Sequence, residues 1–149
     1  AMVDGLVGSE MCIRDRRDGL SDQLQEEIKK VESMTKSNEN FQLNIAIGYG
    51  GRAEIVDAVK KISYQIKNDE INIEHIDEDL LSKHLYTEGM PDPDLIIRTS
   101  GEERLSGFLL WQSAYSELYF TEVFWPAFRK IDFLRAIRVW QQRDRRFGK

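Results

Sequence analysis

The stretch Phe41-Gln42-Leu43-Asn44-Ile45-Ala46-Ile47-Gly48-Tyr49-Gly50-Gly51-Arg52 decides the fold class. Residues 41–49 form an apolar run around Asn44, long enough for a strand and short for a helix, and the glycines at 48, 50 and 51 punctuate it. A helix is predicted next, from about Arg52 through Ile66, because Ile55, Val56, Val59, Ile62 and Ile66 fall on one face, as suits a helix packed on a sheet. Strand, glycine turn and helix together are the βα half of a parallel α/β unit.

The flanking sequence extends this pattern. Upstream, Ser21 followed by Gln25 and Glu26, with Leu24, Ile28, Val31 and Met34 at spacings of three and four, predicts an amphipathic helix of about five turns that ends at Ser37-Asn38-Glu39-Asn40. Downstream, Asp77 is expected to cap a short helix through His84. Pro91-Asp92-Pro93 then forces an extended entry into a buried strand at Leu95-Ile96-Ile97. A short helix is predicted to begin with Phe108-Leu109-Leu110-Trp111, followed by a strand at Leu118-Tyr119-Phe120 and a turn at Trp125-Pro126. From Ile131 a last helix should carry Phe133, Leu134, Ile137 and Trp140 inward. The fold class expected is α/β, with a mostly parallel central sheet flanked by helices. No repeat or composition break marks a second domain.

Composition narrows the function. The 149 residues are 41% apolar and 10% aromatic, enough for one soluble domain with a real core. A net charge of −5 argues against a nucleic-acid partner, because a phosphate backbone is held mainly by a basic excess. Any anion must therefore meet a local cluster. No run approaches the roughly 18 apolar residues of a membrane span, and the N-terminus lacks the pattern of a secretory signal, so a cytoplasmic location is expected. Cys12 is the single cysteine, too few for a disulfide or a cysteine-based zinc site. His75 and His84 stand apart in polar surroundings and are expected to be solvated.

Gly5 through Arg16 have no hydrophobic periodicity, and Leu6 through Asp15 read codon for codon as one frame of a transposon-tagmentation sequencing adapter, CTC-GTG-GGC-TCG-GAG-ATG-TGT-ATA-AGA-GAC. Residues 1–16 are accordingly expected to be a non-native leader, with the authentic sequence starting near Arg17.

The residues that could do chemistry lie between Asp94 and Gln112. Arg98 directly follows a predicted buried strand and so stands at its C-terminal end, where ligands settle in open α/β sheets. Arg104 comes six residues later, and Ser106 is expected at the N-terminus of the next helix, where free N–H groups favour phosphate. Two guanidiniums, a hydroxyl and a helix start would make a diphosphate cradle. The alternative is that both arginines pair with Glu102, Glu103 or Asp94 on the surface. Glu117, in the apolar strand Tyr115-Ser116-Glu117-Leu118-Tyr119-Phe120, needs a partner of its own. That partner is either Mg²⁺, which takes one or two carboxylates plus phosphate oxygens, or an arginine. The Gly48–Arg52 turn lacks the GxGxxG spacing and the P-loop lysine, so a nucleotide-binding module is disfavoured. The basic end Arg143-Asp144-Arg145-Arg146-Phe147-Gly148-Lys149 reads as a solvated helix end.

Gly50-Gly51-Arg52, Asp94 through Arg98, Gly101-Glu102, Arg104, Ser106, Phe108 through Gln112 and Glu117 through Phe120 resemble the cis-prenyltransferase family, typified by undecaprenyl diphosphate synthase. The likeness runs from Arg17 to Lys149. It implies a homodimeric α/β fold with an apolar tunnel for a growing polyprenyl chain, and condensation of isopentenyl diphosphate onto an allylic prenyl diphosphate. It makes Arg98, Arg104 and Ser106 ligands of the isopentenyl diphosphate, Glu117 a ligand of Mg²⁺, and Arg146 and Gly148 part of a C-terminal element that reaches the partner subunit's site. It also implies a product delivered to the membrane by an enzyme that is cytoplasmic or peripheral to it. Gly48 and Gly107 depart from the family, each standing where asparagine is usual. The family's Met-Asp-Gly-Asn-type opening motif, with its catalytic aspartate, is absent from these 149 residues. The N-terminal part of the fold is accordingly expected to be missing and the chain to be inactive alone. A non-catalytic partner subunit of a heteromeric prenyltransferase is the alternative.

Overall fold

The structure, a computed structural model, describes residues 9–15 by their main chain and residues 20–143 in full. The chain divides into two compact units, Ala1–Glu88 and Gly89–Lys149. Among the described residues each holds one pair of parallel strands, which makes the class α/β.

In the first unit, β1 (Ser9–Asp15) runs parallel to β2 (Phe41–Ile47), from Ser9 opposite Phe41 to Asp15 opposite Ile47. The crossover helix α1 (Asp22–Thr35) packs on β1. Ser21 caps it as its position predicts, with its hydroxyl accepting from the Leu24 N–H at 3.4 Å. The sequence carries no periodic signal at β1. A parallel ladder is made by main-chain groups that any non-proline sequence presents, so this pairing carries no information about the nucleic acid that encodes the strand.

After β2 the chain turns through Gly48, at φ 65°, and enters α2 (Gly51–Lys67). The predicted span is right and the predicted face holds in part, with Ile62 buried and Ile55 and Ile66 half-buried. Gly51, Glu54, Ala58 and Ile62 are buried, whereas Val56 and Val59 are exposed. Apolar residues lie on two stripes of this helix, and the inward stripe is the one containing a carboxylate. Glu54 is completely buried, accepts from the Tyr86 N–H at 2.8 Å and takes a hydrogen bond from the Tyr49 hydroxyl. It thereby ties the glycine turn and the Tyr86 segment to the first turn of α2, where the dipole also favours a negative group. The Tyr86 hydroxyl donates to Asp57 at 2.6 Å, and the Lys61 ammonium lies 5.8 Å from the Tyr86 ring centre. Asp77 caps α3 (Glu78–Ser82) through the Leu80 N–H at 2.7 Å. His84 is half-buried rather than solvated: its ring nitrogens lie 2.8 Å from the Leu80 carbonyl and 2.7 Å from Gln65 Oε1.

In the second unit, β3 (Leu95–Arg98) and β4 (Glu117–Phe120) pair in parallel, from Leu95 opposite Glu117 to Arg98 opposite Phe120. No helix forms at Phe108. Residues 106–115 are a run of turns, because Ser106, Gly107 and Leu109 take φ values of 49°, 84° and 46° and a left-handed residue breaks the right-handed ladder. A last helix, α4 (Lys130–Gln141), packs on β4. Its buried row is Asp132 and Ala136; of the inward face expected, Ile137 and Trp140 are half-buried while Phe133 and Leu134 are exposed. The burial of Asp132 is sustained by donors. Its Oδ2 accepts from the Arg129 N–H at 3.1 Å and Arg129 Nε at 3.2 Å, and its Oδ1 accepts from Arg135 Nη1 at 3.0 Å. The Arg129 hydrogen bonds, chiefly the side-chain one, hold this carboxyl below its ordinary value of 3.8 against the opposing effect of burial.

Two outcomes follow from these carboxylates. Glu54→Ala strips the acceptor from two donors and should destabilise the chain by at least about 2 kcal/mol, with Glu54→Gln falling between it and the parent in a urea melt. Asp132 binds its proton less readily when folded, so its contribution is present above pH 3.8 and is lost as pH falls through the lowered native value. Asp132→Asn should therefore flatten the acid limb of a plot of thermal midpoint against pH; an unchanged slope would contradict the assignment.

Candidate functional site

The β3–β4 ladder does not stop at its strand ends. Thr121 N–H donates to the Arg98 carbonyl at 2.9 Å, Gly101 N–H to Thr121 O at 2.9 Å and Ser100 N–H to Val123 O at 3.0 Å. These bonds zip the loop after β3 to the loop after β4 and fix the path of Thr99-Ser100-Gly101. Arg98 consequently projects from a rigid strand end, at the C-terminal edge of the parallel pair. Beside it lies a concavity of about 350 Å³ lined by Ile96, Ile97, Arg98, Thr99, Ser100, Leu105 and Phe108. Its wall is largely apolar, with one guanidinium and two hydroxyls.

Arg98 Nη1 donates to the Ser106 hydroxyl at 2.8 Å and also to the Arg104 carbonyl. These contacts bring Arg98, the Arg104 main chain and Ser106 together. Ser106 does not open a helix, so the dipole expected behind it is absent, and its hydroxyl is presented by a left-handed turn instead. The Arg104 side chain is turned to Glu102, with Arg104 Nη1 bonded to Glu102 Oε2. One of the surface pairings foreseen as the alternative to a cradle is thus formed.

Glu117 stands apart. It opens β4 opposite Leu95, three residues along the ladder from Arg98, or roughly 10 Å at the rise of a strand. Its side chain is 22% exposed and accepts from Arg143 Nη1 at 2.6 Å, so Glu117 has an arginine partner. Among the described residues no group of three or more His, Cys, Asp or Glu side chains could hold a metal. A hard cation at Glu117 would use that carboxylate, displace Arg143 and draw further oxygens from a ligand or water. That fits the phosphate-bridging habit of Mg²⁺. Arg146 and Gly148 lie outside the described residues.

Two features escaped the sequence reading. Glu54 was legible in principle, because it shares the four-residue phase of Ala58 and Ile62. Arg143 looked like part of a solvated basic end, and only the approach of the end of α4 to the start of β4 reveals its partner. Gly48 and Gly107, the two departures from the family pattern, both have positive φ, at 65° and 84°. Asparagine is among the few residues besides glycine that tolerate this region, so both exchanges keep the backbone. A Cβ on Gly107 would meet nothing within 4 Å, and conformation rather than space is the constraint there.

Residues 7–148 match the prenyltransferase family described as "Putative undecaprenyl diphosphate synthase", a match that opens within the stretch whose codons read as adapter. The chain is 60% identical over 129 residues to the tritrans,polycis-undecaprenyl-diphosphate synthase (geranylgeranyl-diphosphate specific) of Picrophilus torridus, covering 87% of this chain and 51% of that enzyme. It is 58% identical over 126 residues to isoprenyl transferase 1 of Corynebacterium glutamicum, covering 82% and 56%. Its structure superposes on lavandulyl diphosphate synthase from Lavandula x intermedia, solved in complex with dimethylallyl diphosphate, with a TM-score of 0.92 and 35% identity over 95% of this chain and 61% of that one. The chain spans about half the length of the curated relatives it matches. With one family covering all but its first six residues and its last, the chain belongs to the undecaprenyl diphosphate synthase family of prenyltransferases.

Proposed function

We propose that this chain carries the isopentenyl diphosphate half of a cis-prenyltransferase site. The observation that carries the proposal is the pairing of a rigidly mounted guanidinium, Arg98, with an apolar concavity walled by Ile96, Ile97, Leu105 and Phe108. Isopentenyl diphosphate has that polarity, a doubly phosphorylated head on a five-carbon apolar body. Arg98, Arg104 and Ser106 are the head's ligands. In the reaction, the carbon–oxygen bond of an allylic diphosphate breaks, the isopentenyl double bond supplies the electrons of the new carbon–carbon bond, and a proton leaves to give a cis double bond. Diphosphate is released from the allylic partner, while the product keeps the diphosphate of the isopentenyl unit. The chain's own contribution is to neutralise the phosphate head and orient the alkene.

Glu117 is the residue that would hold Mg²⁺, which supplies charge neutralisation on the diphosphate. The exposed apolar side chains Phe124, Trp125, Ile131, Phe133 and Leu134 support a homodimer. No helix among the described residues is long and apolar enough to cross a membrane. A cytoplasmic or peripheral enzyme that hands its product to the bilayer is in keeping with that. Within this proposal, residues 1–16 are a non-native leader and residues 17–149 the C-terminal part of a prenyltransferase domain. The non-catalytic subunit is the second reading, and the formed Arg98–Ser106 contact favours the first, since a partner subunit has no need of it.

In calorimetry the 149-residue chain should bind isopentenyl diphosphate in preference to ATP or NAD. Arg98→Ala should weaken that binding by about 1.5–3 kcal/mol, the worth of a charge-assisted contact; an unchanged dissociation constant would remove Arg98 from the site. Incorporation of labelled isopentenyl diphosphate should be absent with this chain alone and appear when residues 17–149 are expressed behind the upstream segment of their gene. Turnover by the chain alone would show that the opening aspartate motif is dispensable.

A further inference from the structure

Arg98 and Arg104 are held in different ways. Arg98 donates to neutral oxygens, the Ser106 hydroxyl and the Arg104 carbonyl, which a phosphate outcompetes without separating opposite charges. Arg104 is held by a charge, because its guanidinium is paired with the Glu102 carboxylate two residues upstream. Both side chains are substantially exposed, at 64% and 43%, so no burial locks the pair. An N–H edge bonded to a carboxylate is not available to a phosphate at the same time. A diphosphate that takes the Arg104 Nη1 edge bonded to Glu102 therefore replaces one anion by another.

We propose that Glu102 is an internal competitor for Arg104: its carboxylate holds the guanidinium in the empty cradle, yields it when a diphosphate binds and takes it back on release. The proposal rests on the reading of Arg98, Arg104 and Ser106 as a diphosphate site. Its functional sense comes from the chemistry of elongation. The elongated product retains the diphosphate that entered with the isopentenyl unit, so the cradle has to let go of that group before another unit can enter. A carboxylate waiting beside the arginine lowers affinity for diphosphate and shortens its stay. It also keeps Arg104 directed towards the loop in the empty state, instead of free in solvent.

Inorganic pyrophosphate is the probe, titrated calorimetrically into the 149-residue chain and into Glu102→Gln, Arg104→Gln and the double variant. Glu102→Gln should tighten pyrophosphate about two- to fivefold, the span an exposed ion pair can supply, with a matching fall in the dissociation rate. The same substitution on the Arg104→Gln background should give no gain, because the competitor then has nothing to hold. Equal tightening on both backgrounds would overturn the proposal, since Glu102 would then act as a general negative charge. Binding by the parent chain with no gain in Glu102→Gln would remove the competitor and leave the cradle standing. Absence of binding by every variant would remove the cradle and the competitor with it. Glu102→Asp, with a shorter arm, gives a second check and should fall between the parent and Glu102→Gln.

Discussion

The parallel pairing of Leu95–Arg98 with Glu117–Phe120 is the constraint on which the candidate site depends. Four residues per strand are a short ladder, and the main-chain bonds at both ends make it longer in effect: Glu117 N–H to Asp94 O before it, then Thr121 to Arg98, Gly101 to Thr121 and Ser100 to Val123 beyond it. These bonds fix Arg98 and Glu117 at opposite ends of one rigid unit, whatever their side chains do. Side-chain positions downstream of that frame are adjustable; the frame itself is set by backbone groups that no substitution short of proline removes.

Much of the element order was legible because it rests on local rules. Ser21 and Asp77 cap the helices they precede, the glycine turn after Ile47 opens α2, and Pro91-Asp92-Pro93 leads into β3. What held only in part was the choice of face. Helical spacing gives an apolar stripe but not its direction when two stripes compete, and in α2 the inward one was chosen by the hydrogen bonds that Tyr49 and Tyr86 offer Glu54. In α4 the same thing happened with Asp132 and its arginine donors. The missing helix at Phe108 has a different cause. Composition there suits a helix, but left-handed residues at 106, 107 and 109 were not foreseen from Ser, Gly and Leu.

The candidate site was legible as chemistry and less so as geometry. Arg98, Arg104 and Ser106 were singled out from spacing, and Arg98 meets Ser106. The pairing of Glu117 with Arg143 joins residues 26 apart in sequence, which no local pattern foretells. Three carboxylates of the second unit are each held by arginine. Asp132 is buried with three donors, Glu117 is half-buried with one, and Glu102 is exposed with one. The strength with which each is held should follow that order, since solvent weakens a pair in proportion to its access.

The division into two units has a practical side in light emission. All three tryptophans, Trp111, Trp125 and Trp140, lie beyond Gly89, whereas residues 20–88 contain tyrosine and phenylalanine but no tryptophan. Excitation at the red edge of the indole band therefore watches the second unit alone, the one that carries Arg98, Arg104 and Glu117. The chain thus comes with an intrinsic optical label on the half where ligands are proposed to arrive, and the other half stays dark at that wavelength.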